Sequence, residues 1–134
     1  MIILIKRLQE NIEYPDFSGI NIKKITSLIT LFPILGTYDI DIRKIKYLDL
    51  SDWDTSNVIN MQGMFSNCEG LVEIKLSSKF NTFNVKTMAN MFSGCKSLIS
   101  IDLSNFDTSN VQNMSDMFSQ CESLKTIDIS NFNT

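Results

Sequence analysis

The sequence predicts an α/β repeat fold: a right-handed solenoid with parallel strands on a concave face, short helices on a convex face and a helical cap at the N-terminus. Three observations carry this expectation. The stretch Leu48 to Val58, LDLSDWDTSNV, returns as IDLSNFDTSNV from Ile101 to Val111, with a worn copy from Ile74 to Val85 between them. A second phrase follows each copy: Met61, Met64-Phe65, Cys68 and Leu71; Met88, Met91-Phe92, Cys95 and Leu98; Met114, Met117-Phe118, Cys121 and Leu124. The cysteines keep step, 27 residues from Cys68 to Cys95 and 26 from Cys95 to Cys121, the extra residue lying in Leu76-Ser-Ser-Lys-Phe80. A self-similar period of this size belongs to stacked repeats, each burying its apolar side against the next.

Taken in order, residues 1–14 read as a capping helix. Ile5, Leu8 and Ile12 share one helical face, and Tyr14-Pro15 ends it. Residues 15–47 read as a degenerate first repeat with an insert. Phe17, Ile22, Ile25, Leu28-Ile29, Phe32 and Leu35 have the spacing of Trp53, Val58, Met61, Met64-Phe65, Cys68 and Leu71. About ten extra residues follow Leu35. Their alternating segment, Asp39 to Ile45, suggests a short added strand or a looped-out piece. Residues 48–134 hold the clear repeats of 26–27 residues, the last incomplete.

Each clear copy has a physical grammar. Leu71, Ile74 and Leu76 recur as Leu98, Ile101, Leu103 and as Leu124, Ile127, Ile129, placing two apolar residues per copy on one strand face. The Asp54-Thr-Ser-Asn57 and Asp107-Thr-Ser-Asn110 clusters are turn and helix-cap chemistry, since such side chains bond nearby backbone N–H groups. Val58, Met61, Met64-Phe65 and Cys68 then fall on one side of a short helix. Their spacing assigns the Met and Phe columns to the core rather than to a greasy binding groove.

Composition narrows the function. The 134 residues are 43% hydrophobic with two prolines and five glycines, which suits a folded domain. Residues 48–134 hold ten acidic and five basic side chains, a balance of −5. Such an acidic region repels phosphate backbones, so no nucleic acid partner is expected. No histidine is present, which removes the commonest general base, the Ser-His and Cys-His pairs and every His-containing metal site. Three cysteines at one repeat position match neither a zinc motif nor an even-numbered disulfide framework, and read as buried thiols. No cofactor, metal or catalytic residue is expected, and no enzyme. The short apolar run Met1 to Ile5 has neither the basic start nor the small-residue end of a signal peptide, and no stretch is long enough for a transmembrane helix.

Leu98-x-x-Ile101-x-Leu103 is similar to the core of a leucine-rich repeat, with Trp53, Phe80, Phe106 and Phe132 where many such repeats carry Asn or Cys. The longer phrase from Ile101 to Cys121 resembles the BspA-type leucine-rich repeats, also catalogued as a domain of unknown function first noted in mycoplasma proteins. The resemblance is close over residues 48–134 and loose over 15–47. It implies a leucine-rich-repeat-like solenoid, a place at the cell surface and a role in adhesion. The lipobox, leader and wall-sorting tail of surface members are not seen in this sequence.

The candidate binding residues are those expected to point outward from the strands. Asp49, Lys75, Asp102 and Asp128 stand between the inward apolar residues; Ser51, Ser77, Ser104 and Ser130 follow; Glu73, Ser100 and Thr126 precede. Stacked in register they form a polar face able to hold a protein or glycan, with Asp102 and Asp128 as adjacent like charges. The alternative is a solvated face on a structural spacer without a ligand of its own. The sequence stops at the opening of a further repeat, which suggests a fragment of a longer repeat protein or edge-to-edge self-association through the C-terminal strand.

Overall fold

The computed structural model describes residues 1–133. Its regular elements are α1 (Ile2–Glu10), α2 (Leu31–Leu35), β1 (Tyr47–Asp49) and β2 (Glu73–Lys75), with 3-10 turns at Gly36–Tyr38 and Ile42–Lys44. The expected solenoid of parallel strands and convex helices is therefore not what forms. Among the described residues there are two short helices and one two-stranded parallel sheet, which does not close. Ile101–Leu103 and Ile127–Ile129 form no strand, so edge-to-edge pairing has no C-terminal strand to run through.

The missing helices have a backbone cause. In each clear copy two residues, four apart, adopt positive φ: Gly63 and Asn67, Asn90 and Gly94, Asp116 and Gln120. A left-handed residue interrupts an α-helix, and Gly, Asn and Asp tolerate that conformation best. The segment instead alternates its donors. Met64, Ser66 and Cys68 N–H groups bond carbonyls three residues back, at 3.0–3.2 Å. Met61, Gly63, Phe65 and Asn67 donate to Thr87, Ala89, Met91 and Ser93 of the following copy, at 2.8–3.0 Å. The backbone is thus satisfied between copies rather than within a helix. Only the first copy makes a helix here, α2, whose Pro33 sits in the first turn where no N–H partner is required.

Side chains lock this arrangement. Phe32, Phe65, Phe92 and Phe118 stack in one column, with centroids 5.2, 5.3 and 5.4 Å apart. Trp53 stacks on Phe17 at 6.0 Å and Phe80 on Phe106 at 6.1 Å. Met61, Met64, Met88 and Met91 are fully buried around the Phe column. The Trp53 Nε1 group is buried without a hydrogen-bond partner, a cost that phenylalanine avoids at the equivalent Phe80 and Phe106.

The first copy departs from its expected register. Phe17 does meet Trp53, 36 residues on, but Phe32 stacks on Phe65 and Ser27 bridges Asn60, both 33 residues on. Three residues are therefore absorbed after Phe17, where Gly19 turns with φ +70°. In consequence Ile25 and Ile29, expected to match Met61 and Phe65, are exposed. The insert after Leu35 is no strand. It winds through the Ile42–Lys44 turn, capped by the Asp41 carboxylate accepting from Arg43 N–H at 3.2 Å, and buries Ile40 and Ile45. At the other end, α1 lays Leu4 and Leu8 onto the core. Its chain continues to Glu13, whose carbonyl accepts from Lys46 and Tyr47 ahead of β1.

Candidate functional site

The proposed polar face begins on the small sheet. Tyr47, Leu48 and Asp49 pair in parallel with Glu73, Ile74 and Lys75. Leu48 and Ile74 turn inward, which leaves Asp49, Glu73 and Lys75 outside. The Lys75 ammonium donates to Asp49 Oδ2 at 2.9 Å, and the Ser51 hydroxyl and N–H donate to Asp49 Oδ1 at 2.5 and 3.0 Å. Burial works to raise the Asp49 pKa, but those bonds and the Lys75 charge outweigh it and hold the carboxyl below its ordinary value. The Ser77 hydroxyl donates to the Ser51 carbonyl at 2.6 Å. Asp49, Ser51, Lys75 and Ser77 are thus gathered into one linked cluster, largely occupied with itself.

The remaining candidates stand apart from that cluster. Ser100, Asp102 and Ser104, and likewise Thr126, Asp128 and Ser130, are exposed and carry no strand pairing. The last backbone bond entering this stretch from the second copy is Ile99 N–H to the Val72 carbonyl, 3.3 Å. Asp102 Oδ1 accepts from Ser104 N–H and Asp128 Oδ1 from Ser130 N–H, each at 2.9 Å. These serines lower both carboxyl pKa values, burial acting the other way, so each group favours its charged form.

The repeated Asp-Thr-Ser-Asn phrase resolves into three separate jobs. Asp54 and Asp107 accept from Ser56 and Ser109 N–H groups and close the turn, at 3.0 and 2.9 Å. Buried Thr55 and Thr82 donate their hydroxyls to the Asn81 and Asp107 carbonyls of the next copy. Asn57, Asn84 and Asn110 reach back, each Nδ2 donating to a carbonyl of the preceding copy at 2.7–2.8 Å. Sequence reasoning took the phrase for capping alone. Its recurrence at one position per copy was the available signal for bonds running between copies.

That Asn column belongs to a ladder spanning all four copies, the longest lateral register in the molecule. Ser27, Asn60, Thr87 and Asn113 form successive parallel bridges, and Ile59, Lys86 and Gln112 N–H groups each bond the copy before. Residues before these bridges present outward side chains in two rows. One row is Lys24, Asn57, Asn84 and Asn110, and the other is Thr26, Ile59, Lys86 and Gln112. An open groove of about 500 Å³ runs between Lys24, Thr26, Asn57, Ile59, Asn84 and Lys86.

The cysteine column is directed inward. Cys68 and Cys95 are buried and Cys121 half-buried, and the Cys95 and Cys121 thiols donate to the Phe65 and Phe92 carbonyls at 3.2 Å. Burial pushes the Cys95 pKa up to about 12. Among the described residues no group of three or more His, Cys, Asp or Glu side chains is placed to hold a metal ion.

Compared with protein families, residues 6–73 and 26–134 match the family described as "Mycoplasma protein of unknown function, DUF285". The two matches overlap and together span nearly the whole chain. The chain belongs to this family. Searches of curated proteins and of solved structures return no match. The DUF285 assignment agrees with the mycoplasma half of the sequence resemblance, while the leucine-rich-repeat half finds no confirmation in it. Among the described residues no helix of this DUF285 domain is long and apolar enough to cross a membrane.

Proposed function

We propose that this domain is a non-enzymatic interaction module of a surface-type protein, and that it holds a protein or glycan on its Asp- and Ser-rich face. The supporting observation is the pair of repeat-equivalent carboxylates at Asp102 and Asp128. Both are exposed, neither takes part in an ion pair among the described residues, and each is kept ionised by a following serine. A chain with no histidine and with thiols turned into the core offers no converging nucleophile and base for catalysis.

The second reading is a structural spacer. It is favoured by the first half of the same face, where Asp49, Ser51, Lys75 and Ser77 bond one another and the backbone. Asp102→Asn with Asp128→Asn separates the two readings, because Asn keeps the Oδ1 acceptor that closes each turn and removes only the charge. Probed against arrayed matrix proteins and glycans, the module is expected to bind at least one, and the double variant to lose most of that signal while remaining folded. Binding unaffected by the double variant sinks this face; no binding to any array favours the spacer. Protease shaving of intact source cells tests the surface location, with loss of an immunoblot signal for residues 48–134 as the expected result.

A further inference from the structure

We infer that the chain associates with a second copy of itself, head to tail, by continuing the ladder from the last copy of one molecule onto the first copy of the next. This contact uses no C-terminal strand, which the chain does not form. The groups that face backward and forward along the ladder differ, and the difference is the same at every step. Backward, the Ile59, Lys86 and Gln112 N–H groups donate to the Thr26, Ile59 and Lys86 carbonyls at 2.7–2.8 Å. Forward, Leu28 and Thr30 N–H groups donate to the Asn60 and Gln62 carbonyls, both at 2.8 Å. Met61 and Gly63 donate likewise to Thr87 and Ala89, and Met88 and Asn90 to Asn113 and Ser115, at 2.9–3.0 Å.

Both ends of this pattern are unmatched. At the tail, the Gln112 carbonyl and the Met114 and Asp116 N–H groups have no hydrogen-bond partner among the described residues. At the head, the same holds for the Thr26 N–H and the Ser27 and Ile29 carbonyls. The two ends complement each other one for one. Thr26 N–H meets the Gln112 carbonyl, Met114 N–H the Ser27 carbonyl, and Asp116 N–H the Ile29 carbonyl. A tail has two donors for one acceptor and a head the reverse, so neither end can satisfy a copy of itself. From Leu31 onward the head is wound into α2, which confines the shared register to residues 26–29.

The apolar column beside the ladder ends in the same way. In the Ser27–Asn60 register, Ile25, Val58, Val85 and Val111 are equivalent. Val58 and Val85 are fully buried between copies, whereas Ile25 is 42% exposed and Val111 half-buried. Stacking Val111 of one molecule on Ile25 of the next gives both the cover that the inner pair already has. Charge favours the same pairing. Residues 102–133 hold five acidic side chains and one basic, a balance of −4, while residues 1–30 hold three acidic and four basic, a balance of +1. Two tails repel, and a tail attracts a head. Because head and tail are different surfaces, the contact is heterologous and each dimer keeps one head and one tail for further growth. Three backbone bonds beside one apolar contact make a narrow interface of the transient kind.

The test is sedimentation of the full chain from micromolar to millimolar concentration, with heteronuclear NMR over the same range. Mean mass is expected to rise with concentration, and the amide resonances of Thr26, Met114 and Asp116 to move with it. Ile25→Glu with Ile29→Glu puts carboxylates on the head, against the acidic tail. Gln112→Lys with Ser115→Lys puts ammonium groups on the tail, against the cationic head. All four side chains are exposed, so both variants should stay folded. Each variant alone should remain monomeric. Mixing the two should restore association, since one keeps an intact tail and the other an intact head. The proposal is overturned by a wild-type chain that stays monomeric to millimolar concentration, or by a folded variant that still associates alone. A mixture that stays monomeric, or concentration-dependent shifts centred away from residues 25–29 and 111–116, overturns it equally.

Discussion

Replacing Phe92 with alanine is the sharpest perturbation of the column that holds the copies together. Phe92 is fully buried, with Phe65 stacked at 5.3 Å and 7° on one side and Phe118 at 5.4 Å and 5° on the other. Truncating a buried Phe costs about 3–5 kcal/mol, and two flanking aromatic pairs put this site toward the top of that range, roughly 4–5 kcal/mol. Phe118→Ala provides the internal comparison. It is half-buried and stacks on Phe92 alone in the described column, so about 1–2 kcal/mol is expected. An unfolding entropy of about 2.1 cal/mol/K per residue makes 1 kcal/mol worth about 3.5 °C in a chain of this length. Phe92→Ala should therefore lower Tm by about 15 °C and Phe118→Ala by about 5 °C. Urea unfolding and calorimetry of both variants provide the assay. Equal losses, or a Phe92→Ala loss below about 2 kcal/mol, would refute the role given to the column.

Two further outcomes test the backbone and its charges. Gly94→Ala decides between turn and helix by sign: in a helix it stabilises by roughly 1 kcal/mol, but at φ +75°, with the added Cβ 2.5 Å from Asn67 Oδ1, it must destabilise. A higher Tm for Gly94→Ala would overturn the left-handed assignment. Ser56 and Ser109, through side chain and then backbone, lower the Asp54 and Asp107 pKa values from 3.8. A depressed folded pKa contributes stability that is complete above the unfolded value and is lost as pH falls through the folded one. Calorimetry should therefore show Tm level down to about pH 4 and falling below it, with a shallower fall in Asp54→Asn with Asp107→Asn, which cannot titrate. An acid limb identical in the double variant would remove these carboxylates from the account.

The sequence by itself determined that copies recur and, in the first two clear copies, which apolar residues face inward. Hydrophobic spacing is a local property, so Leu48, Met61, Phe65, Cys68 and Ile74 could be placed in the core from their intervals, and all are buried. The lack of histidine is legible in the same way. What only the tertiary structure decided is how the backbone between those residues is satisfied. Val58 to Cys68 has helical spacing, yet Gly63 and Asn67 turn left-handed and half of the donors cross to the next copy. The Gly and Asn residues four apart were the visible warning, but their weight depends on a neighbour supplying carbonyls in register.

The candidate face divides along the same line. Asp49 and Lys75 meet because β1 and β2 pair, whereas Asp102 and Asp128 find no strand to join. The Asn57, Asn84 and Asn110 row shows the converse: residues read as local caps serve bonds to other copies. Intervals along the chain fix which side of a segment is apolar. The partner of each polar group is fixed only when the copies come together, because a backbone or amide hydrogen bond depends on the position and direction of both its ends.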